Sequence, residues 1–132
     1  MINETLEKWH GLLETKDVRG LKELLHEDAI FHSPVVHTPQ QGQKLTQMYL
    51  GAAFQVLGGE NFKYLREVVD GNHAVLEFQT EIDGIEINGV DMITCDDQGL
   101  ITDFKVMVRP LKAINLLHAK MKAMLEQFQA AS

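Results

Sequence analysis

The sequence predicts an α+β domain with helices packed on one face of a curved antiparallel sheet. Three observations carry that expectation. Apolar residues recur at helical spacing near both ends of the chain, the middle switches to a period of two, and turn signals separate four alternating segments in a row. The 132 residues provide for one domain spanning 1–132, long enough to bury a core without disulfides or metal.

At the N-terminal end Ile2, Leu6, Trp9 and Leu13 fall on one helical face. Asp17 reads as the N-cap of a short second helix carrying Leu21, Leu24 and Leu25. Ala29-Ile30-Phe31-His32-Ser33 is a short strand stopped by Pro34. Thr38-Pro39 has the chemistry of a cap and first turn, opening a third helix with Leu45, Met48, Tyr49, Ala52 and Val56; Gly58-Gly59 closes it. Beyond Gly59, Phe62, Tyr64, Arg66 and Val68 alternate with Lys63, Leu65, Glu67 and Val69 until Asp70-Gly71 turns the chain. Ala74, Leu76, Phe78 and Ile82 share a face of the next strand, and Asp83-Gly84 makes a second hairpin turn. Ile85 to Cys95 is a third strand, and Asp96-Asp97-Gln98-Gly99 leads into a fourth, Leu100 to Val108. Strands joined by such short turns form an antiparallel meander. After Arg109-Pro110 a last helix presents Leu111, Ile114, Leu117, Met121, Leu125 and Phe128. That stripe either caps the open end of the domain or packs against a second subunit.

Composition narrows the function. Twelve basic residues against nineteen acidic ones give a net charge of −7, with no basic cluster, and such a field repels phosphate backbones; no nucleic-acid partner is expected. No apolar run approaches the roughly 20 residues of a membrane span, and Met1-Ile2-Asn3-Glu4 shows no leader character, so no membrane association is expected. The lone Cys95 cannot form an internal disulfide, which fits a reducing, cytoplasmic setting. Six histidines invite a metal, yet none are paired at the i, i+4 spacing of a zinc helix. Neither metal nor other cofactor is expected.

The order of elements, together with Glu27-Asp28-Ala29-Ile30-Phe31-His32-Ser33-Pro34-Val35, Gly89-Val90-Asp91 and Asp96-Asp97-Gln98-Gly99-Leu100-Ile101, resembles the NTF2-like superfamily, in its SnoaL-like and ketosteroid isomerase-like branch. The resemblance runs to about Pro110. It implies a cone whose sheet wraps a deep apolar pocket. In the isomerases a general base precedes the proline of the short strand, where this chain has Ser33. A phenolic donor sits on the first helix, where this chain has Trp9. The third position, a carboxylic acid that donates a hydrogen bond, is matched by Asp91.

Asp91 also stands out without that resemblance. On strand period it shares a face with Ile87, Ile93 and Cys95, where desolvation favours a neutral, hydrogen-donating carboxyl. Two plainer roles compete: pairing with a backbone amide or Arg109, or being turned outward by a bulge near Gly89. A base would have to come from His32 or His37, although His32 faces away from Ser33 on a regular strand. Ser33 is better read as a pocket wall or turn hydroxyl than as a nucleophile. Trp9, Phe31, Ser33, Tyr49, Phe54, Phe78, Met92 and Met107 are the candidate ligand-lining residues, with simple core filling as the alternative. Trp9 and Tyr49 are favoured because each has a polar atom that needs a partner when buried.

Two functions fit. In the first, the cone holds a small apolar, carbonyl-bearing molecule and catalyses proton transfer of the isomerase, cyclase or dehydratase type. In the second, a non-enzymatic module of the same fold dimerises or binds a protein partner. A void of about 300 Å³ beside Asp91 favours the first. Either way a homodimer is expected, through a sheet face carrying Leu76, Phe78 and Ile82.

Overall fold

In a computed structural model, which describes residues 2–131 and side chains as far as Gln127, the chain runs α1 (Ile2–Thr15), α2 (Leu21–Leu24), β1 (Leu25–His32), β2 (Gln40–Gln41), α3 (Gln43–Leu57), β3 (Lys63–Asp70), β4 (His73–Ile82), β5 (Ile85–Cys95), β6 (Ile101–Arg109) and α4 (Leu111–Ala131). The six strands make one curved sheet in the order β2-β1-β6-β5-β4-β3. From β3 to β6 it is the expected meander, each strand antiparallel to the last. β1, however, lies parallel to β6, so the sheet is mixed rather than wholly antiparallel. Short turns dictate antiparallel pairing only between consecutive strands. β1 reaches β6 after the chain has crossed through α3 and the meander, and nothing in its own residues sets that direction.

Three boundaries also move. Leu25 opens β1 instead of closing α2. The N-cap of α2 is Gly20, not Asp17; Asp17 Oδ1 accepts instead from the Arg19 and Gly20 backbone N–H groups ahead of the helix, at 3.1 and 3.2 Å. Thr38-Pro39 does not start α3. Gln40 and Gln41 pair with Phe31 and Ile30 as β2, and Gly42, at φ 102°, is the N-cap. That conformation suits glycine, and the Gly42 N–H donates to Ala29 O at 2.8 Å.

Even-numbered residues of β4 and odd-numbered residues of β5 face the helices. Leu76, Phe78, Ile87 and Ile93 are fully enclosed there, in one core with Leu6, Trp9, Leu50 and Phe104. The face carrying Leu76 and Phe78 is therefore the inside of the domain, not an outer contact surface, and Ile82 packs at its margin. The apolar residues that point outward have the other parity: Val75 and Met92, which are cross-strand partners, and Val90 opposite Met107. Ala113, Leu117 and Met121 bury one stripe of α4 against α3, β5 and β6, and Lys120 Nζ reaches Asp83 Oδ2 at 3.1 Å. Hence α4 caps its own chain, with Leu111 left 71% exposed; the Phe128 side chain lies outside the described residues. Among the described residues no helix is long and apolar enough to cross a membrane.

Gly89 gives a direct check of this packing. A Cβ there would lie 2.6 Å from both Met107 O and Phe78 Cζ, well inside contact distance and partly against backbone. Gly89→Ala should cost about 1–3 kcal/mol through overpacking, measured by urea denaturation. Gly59→Ala, where nothing lies within 4 Å, should change stability far less.

Candidate functional site

The pleat of β5 directs Asp91 inward between Leu76 of β4 and Val106 of β6, its register partners. No bulge intervenes near Gly89; the irregularity of the β5–β6 ladder falls between Thr94 and Cys95. A second irregularity, between Tyr64 and Arg66 on β3, has more consequence. It lets Tyr64 lean inward while Arg66 turns out to Glu77, at 2.7 Å. The Tyr64 hydroxyl donates to Asp91 Oδ2 at 2.7 Å and accepts from Trp9 Nε1 at 2.9 Å. Trp9, Tyr64 and Asp91 thus form one directed chain. Arg109 is not its partner; the guanidinium donates from Nε to Asn88 Oδ1 instead.

Asp91 is 6% exposed. Burial pushes its carboxyl up to about 7, against 3.8 for an ordinary aspartate, although the Tyr64 hydrogen bond pulls the other way. Tyr64 is raised well above 10.0, by burial first and then by the negative charge on Asp91. The phenol therefore stays protonated and remains a donor.

Asp91 borders a narrow cavity whose wall is nearly all apolar: Leu13, Phe54, Leu57, Phe62, Phe78 and Val106 are among its lining. Phe62 stacks on Phe78 with centroids 5.4 Å apart and meets Tyr64 edge-on at 5.1 Å. Only about 30 Å³ is open to a water-sized molecule, room for one or two waters and far less than the expected void.

The other candidates are distributed around this cavity. Trp9, Phe54, Phe78 and Asp91 line it. Phe31 does not; it is buried between Tyr49 and Phe104, with centroids at 5.9 and 6.2 Å. Ser33 and Tyr49 line a separate groove with His118 and Met121 of α4, and Ser33 Oγ accepts from the Val35 N–H at 3.1 Å, the turn-hydroxyl role. Ser33 also borders a third groove, on the sheet's outer side, with His32, His37 and Met107. There His32 Nε2 lies 2.8 Å from Asp103 Oδ1, and Met107 is 50% exposed. Met92, cross-strand partner of Val75 and Lys105, also faces outward. Period explains both methionines, since each adjoins an inward residue, Asp91 or Val106. Among the described residues no three His, Cys, Asp or Glu side chains gather to hold a metal.

Tyr64 and Phe62 are the residues that sequence reasoning missed. Both belong to an alternating set with Arg66 and Val68, and that set reads as one continuous face. An aromatic pair preceding a charged residue was the available signal; the bulge that separates them has no mark in the sequence.

Comparison with known proteins agrees with this geometry. The SnoaL-like domain profile matches residues 6–104. No curated protein matches the chain. Among solved structures, a steroid delta-isomerase from Pseudomonas aeruginosa is 40% identical, with a TM-score of 0.92 over 98% of this chain and 94% of that one. A protein with a cystatin-like fold from Silicibacter pomeroyi is 33% identical, with a TM-score of 0.83 over 90% and 83%. An NTF2-like protein from Mesorhizobium loti shares the fold at 18% identity, with a TM-score of 0.71 over 83% and 91%. The inward carboxyl, the helix-lined cone and these matches lead to one placement: the chain belongs to the SnoaL-like domain family and has the NTF2-like fold.

Proposed function

We propose that this protein binds a small apolar molecule carrying a carbonyl oxygen and catalyses proton transfer on it, in the isomerase, cyclase or dehydratase class, in the cytoplasm. One observation carries the reading: Asp91, held by the Tyr64 hydroxyl, borders an apolar cavity with its carboxyl pushed up to about 7. At that value both protonation states are populated at neutral pH, which is the condition for general acid–base work. The ionised carboxyl removes a proton from one carbon and, as the neutral acid so formed, returns it to another. Neither His32 nor His37 is needed, and Ser33 lies outside the cavity. The kinship with a steroid isomerase at 40% identity supports the same class.

A second reading also has an observation behind it. The cavity is nearly filled by the protein's own side chains, as suits a module that acts through its surface. The outward apolar residues Val68, Val75, Val90, Met92 and Met107, with Val68 57% exposed, form the face through which we place a homodimer. Met107→Glu should then shift sedimentation toward the monomer; a wild-type protein already monomeric at tens of micromolar would remove this interface.

Isomerisation of a β,γ-unsaturated cyclic ketone tests the catalytic reading. Activity should rise with pH and level off above about 7, as Asp91 becomes ionised. Asp91→Asn should lose on the order of 100-fold or more in rate, the usual contribution of a positioned acid–base group. Wild-type turnover no faster than buffer would refute catalysis.

Stability should move with pH through the same group. Between about 4 and about 7 the folded Asp91 keeps a proton that the unfolded chain has lost. Its contribution therefore falls as pH rises across that window, by up to roughly 1.4 kcal/mol per unit, and is level above it. In Asp91→Asn this component of the slope should vanish, and urea midpoints recorded from pH 4.5 to 8 should show it as the difference from wild type.

A further inference from the structure

The sheet ends in two very different edges. On one side β2 is only Gln40–Gln41, too short to serve as a template for another strand. On the other, β3 offers eight residues, Lys63–Asp70, and β4 is its one neighbour in the sheet. An edge of that length presents a row of backbone N–H and C=O groups to any further strand. It is also rich in uncovered apolar surface. Of the seven large apolar side chains exposed among the described residues, Leu65, Val68 and Val69 stand on β3.

Register with β4 assigns the faces. Arg66, Val68 and Asp70 oppose Glu77, Val75 and His73 and point outward; Glu67 and Val69 oppose Leu76 and Ala74 and point inward. Beyond the irregularity between Tyr64 and Arg66, the stretch Arg66-Glu67-Val68-Val69-Asp70 is a regular strand. A second copy added to this edge by a two-fold axis normal to the sheet runs antiparallel and keeps each face on its own side. The axis must then pass through a residue, not between two. Centred on Arg66 or on Glu67, it sets arginine against arginine or glutamate against glutamate, and like charges directly opposite are unfavourable. Centred on Val69, it overlaps little more than the end of the strand. Centred on Val68, it brings Val68 to its own copy, Glu67 to Val69, and Arg66 to Asp70 twice.

Both members of that charged pair point outward and have capacity left. Arg66 donates from Nε to Glu77 Oε1 at 2.7 Å with its side chain 74% exposed, which leaves the Nη groups for a second carboxylate. Asp70 takes part in none of the ion pairs of the described residues. Glu67 is engaged on the inner side with His10, at 2.8 Å, and does not compete.

We propose that β3 is a self-association edge: a second copy of this chain pairs with it antiparallel about Val68, fixed in register by two Arg66–Asp70 ion pairs, so that two six-stranded sheets continue as one. This contact is separate from the outer-face dimer placed above; it leaves Val75, Val90, Met92 and Met107 uncovered. Five paired residues bury far less than the roughly 1,600 Å² of a stable complex, so the association is weak, and charge, not area, selects the partner.

Cross-linking through Val68→Cys tests the register. Directly opposed residues of antiparallel strands fall within the Cα separation a disulfide tolerates, about 4.4–6.8 Å, and the native Cys95 is buried. Oxidised with diamide at high protein concentration, Val68→Cys should form a linked dimer at least about tenfold faster than Leu65→Cys, which is similarly exposed but off the axis. Adding Arg66→Asp or Asp70→Arg to Val68→Cys should slow the reaction, and adding both should restore it, because the swap exchanges the charges and keeps the pairs. Met107→Glu should leave the cross-link in place. Independently of any variant, the backbone amides of residues 66–70 in the wild-type protein should exchange more slowly as its concentration rises. Equal rates for Val68→Cys and Leu65→Cys, no recovery in the folded charge swap, or amide exchange that ignores concentration overturns the proposal. Loss of the cross-link in Met107→Glu also overturns it, and assigns Val68 to the outer-face contact.

Discussion

Most of the interior is arranged around a carboxyl that folding takes out of water. Asp91 sits mid-strand on β5, so its direction is set by the pleat and cannot be relaxed without turning Ile93 and Ile87 outward as well. A charge there would be costly, and the protein meets that cost in two ways. It lets the carboxyl hold its proton up to about pH 7, and it supplies one donor, the Tyr64 hydroxyl, rather than a cation. An arginine in the same place would have fixed the carboxylate as an ion at every physiological pH. The neutral donor leaves it able to change state.

That choice passes outward through the structure. Tyr64 can reach Asp91 only because β3 slips register before Arg66, and its hydroxyl is oriented by Trp9, which is itself packed between Phe54 and Phe104 with centroids at 4.8 and 4.9 Å. Helix α1, the β3 bulge and the aromatic packing therefore fix one hydrogen-bond direction. Gly89 contributes by omission: without a side chain it lets the Phe78 ring lie against the strand, two residues from Asp91 on the same face.

The meander, both hairpin turns, the helix stripes and the inward face of Asp91 were all legible, because each follows from a local period or from turn chemistry. Asp83-Gly84 shows why: both residues have positive φ, 53° and 79°, the conformation an Asp-Gly hairpin turn requires. What escaped was non-local. The parallel β1–β6 pairing depends on a crossover, and the inside of β4 depends on which face the helices cover, so Leu76 and Phe78 could be mistaken for an outer patch. Tyr64 escaped because a bulge is a property of two strands together. The volume of a cavity likewise depends on several elements at once, and no single segment encodes it.

The same packing accounts for the absence of the isomerase pair of Ser33 position and Asp91 from one pocket. Phe31 and Phe104 stand side by side, and Tyr49 extends that row toward α3. Trp9 touches Phe104 from the other side. These rings partition the cone, leaving Ser33 and Tyr49 with α4 in one groove and Asp91 with Tyr64 in another. A base placed at position 33 would face the wrong compartment. Of the candidate acids and bases His32, His37 and Asp91, only Asp91 borders the apolar cavity, which Phe62 and Tyr64 wall off on the β3 side.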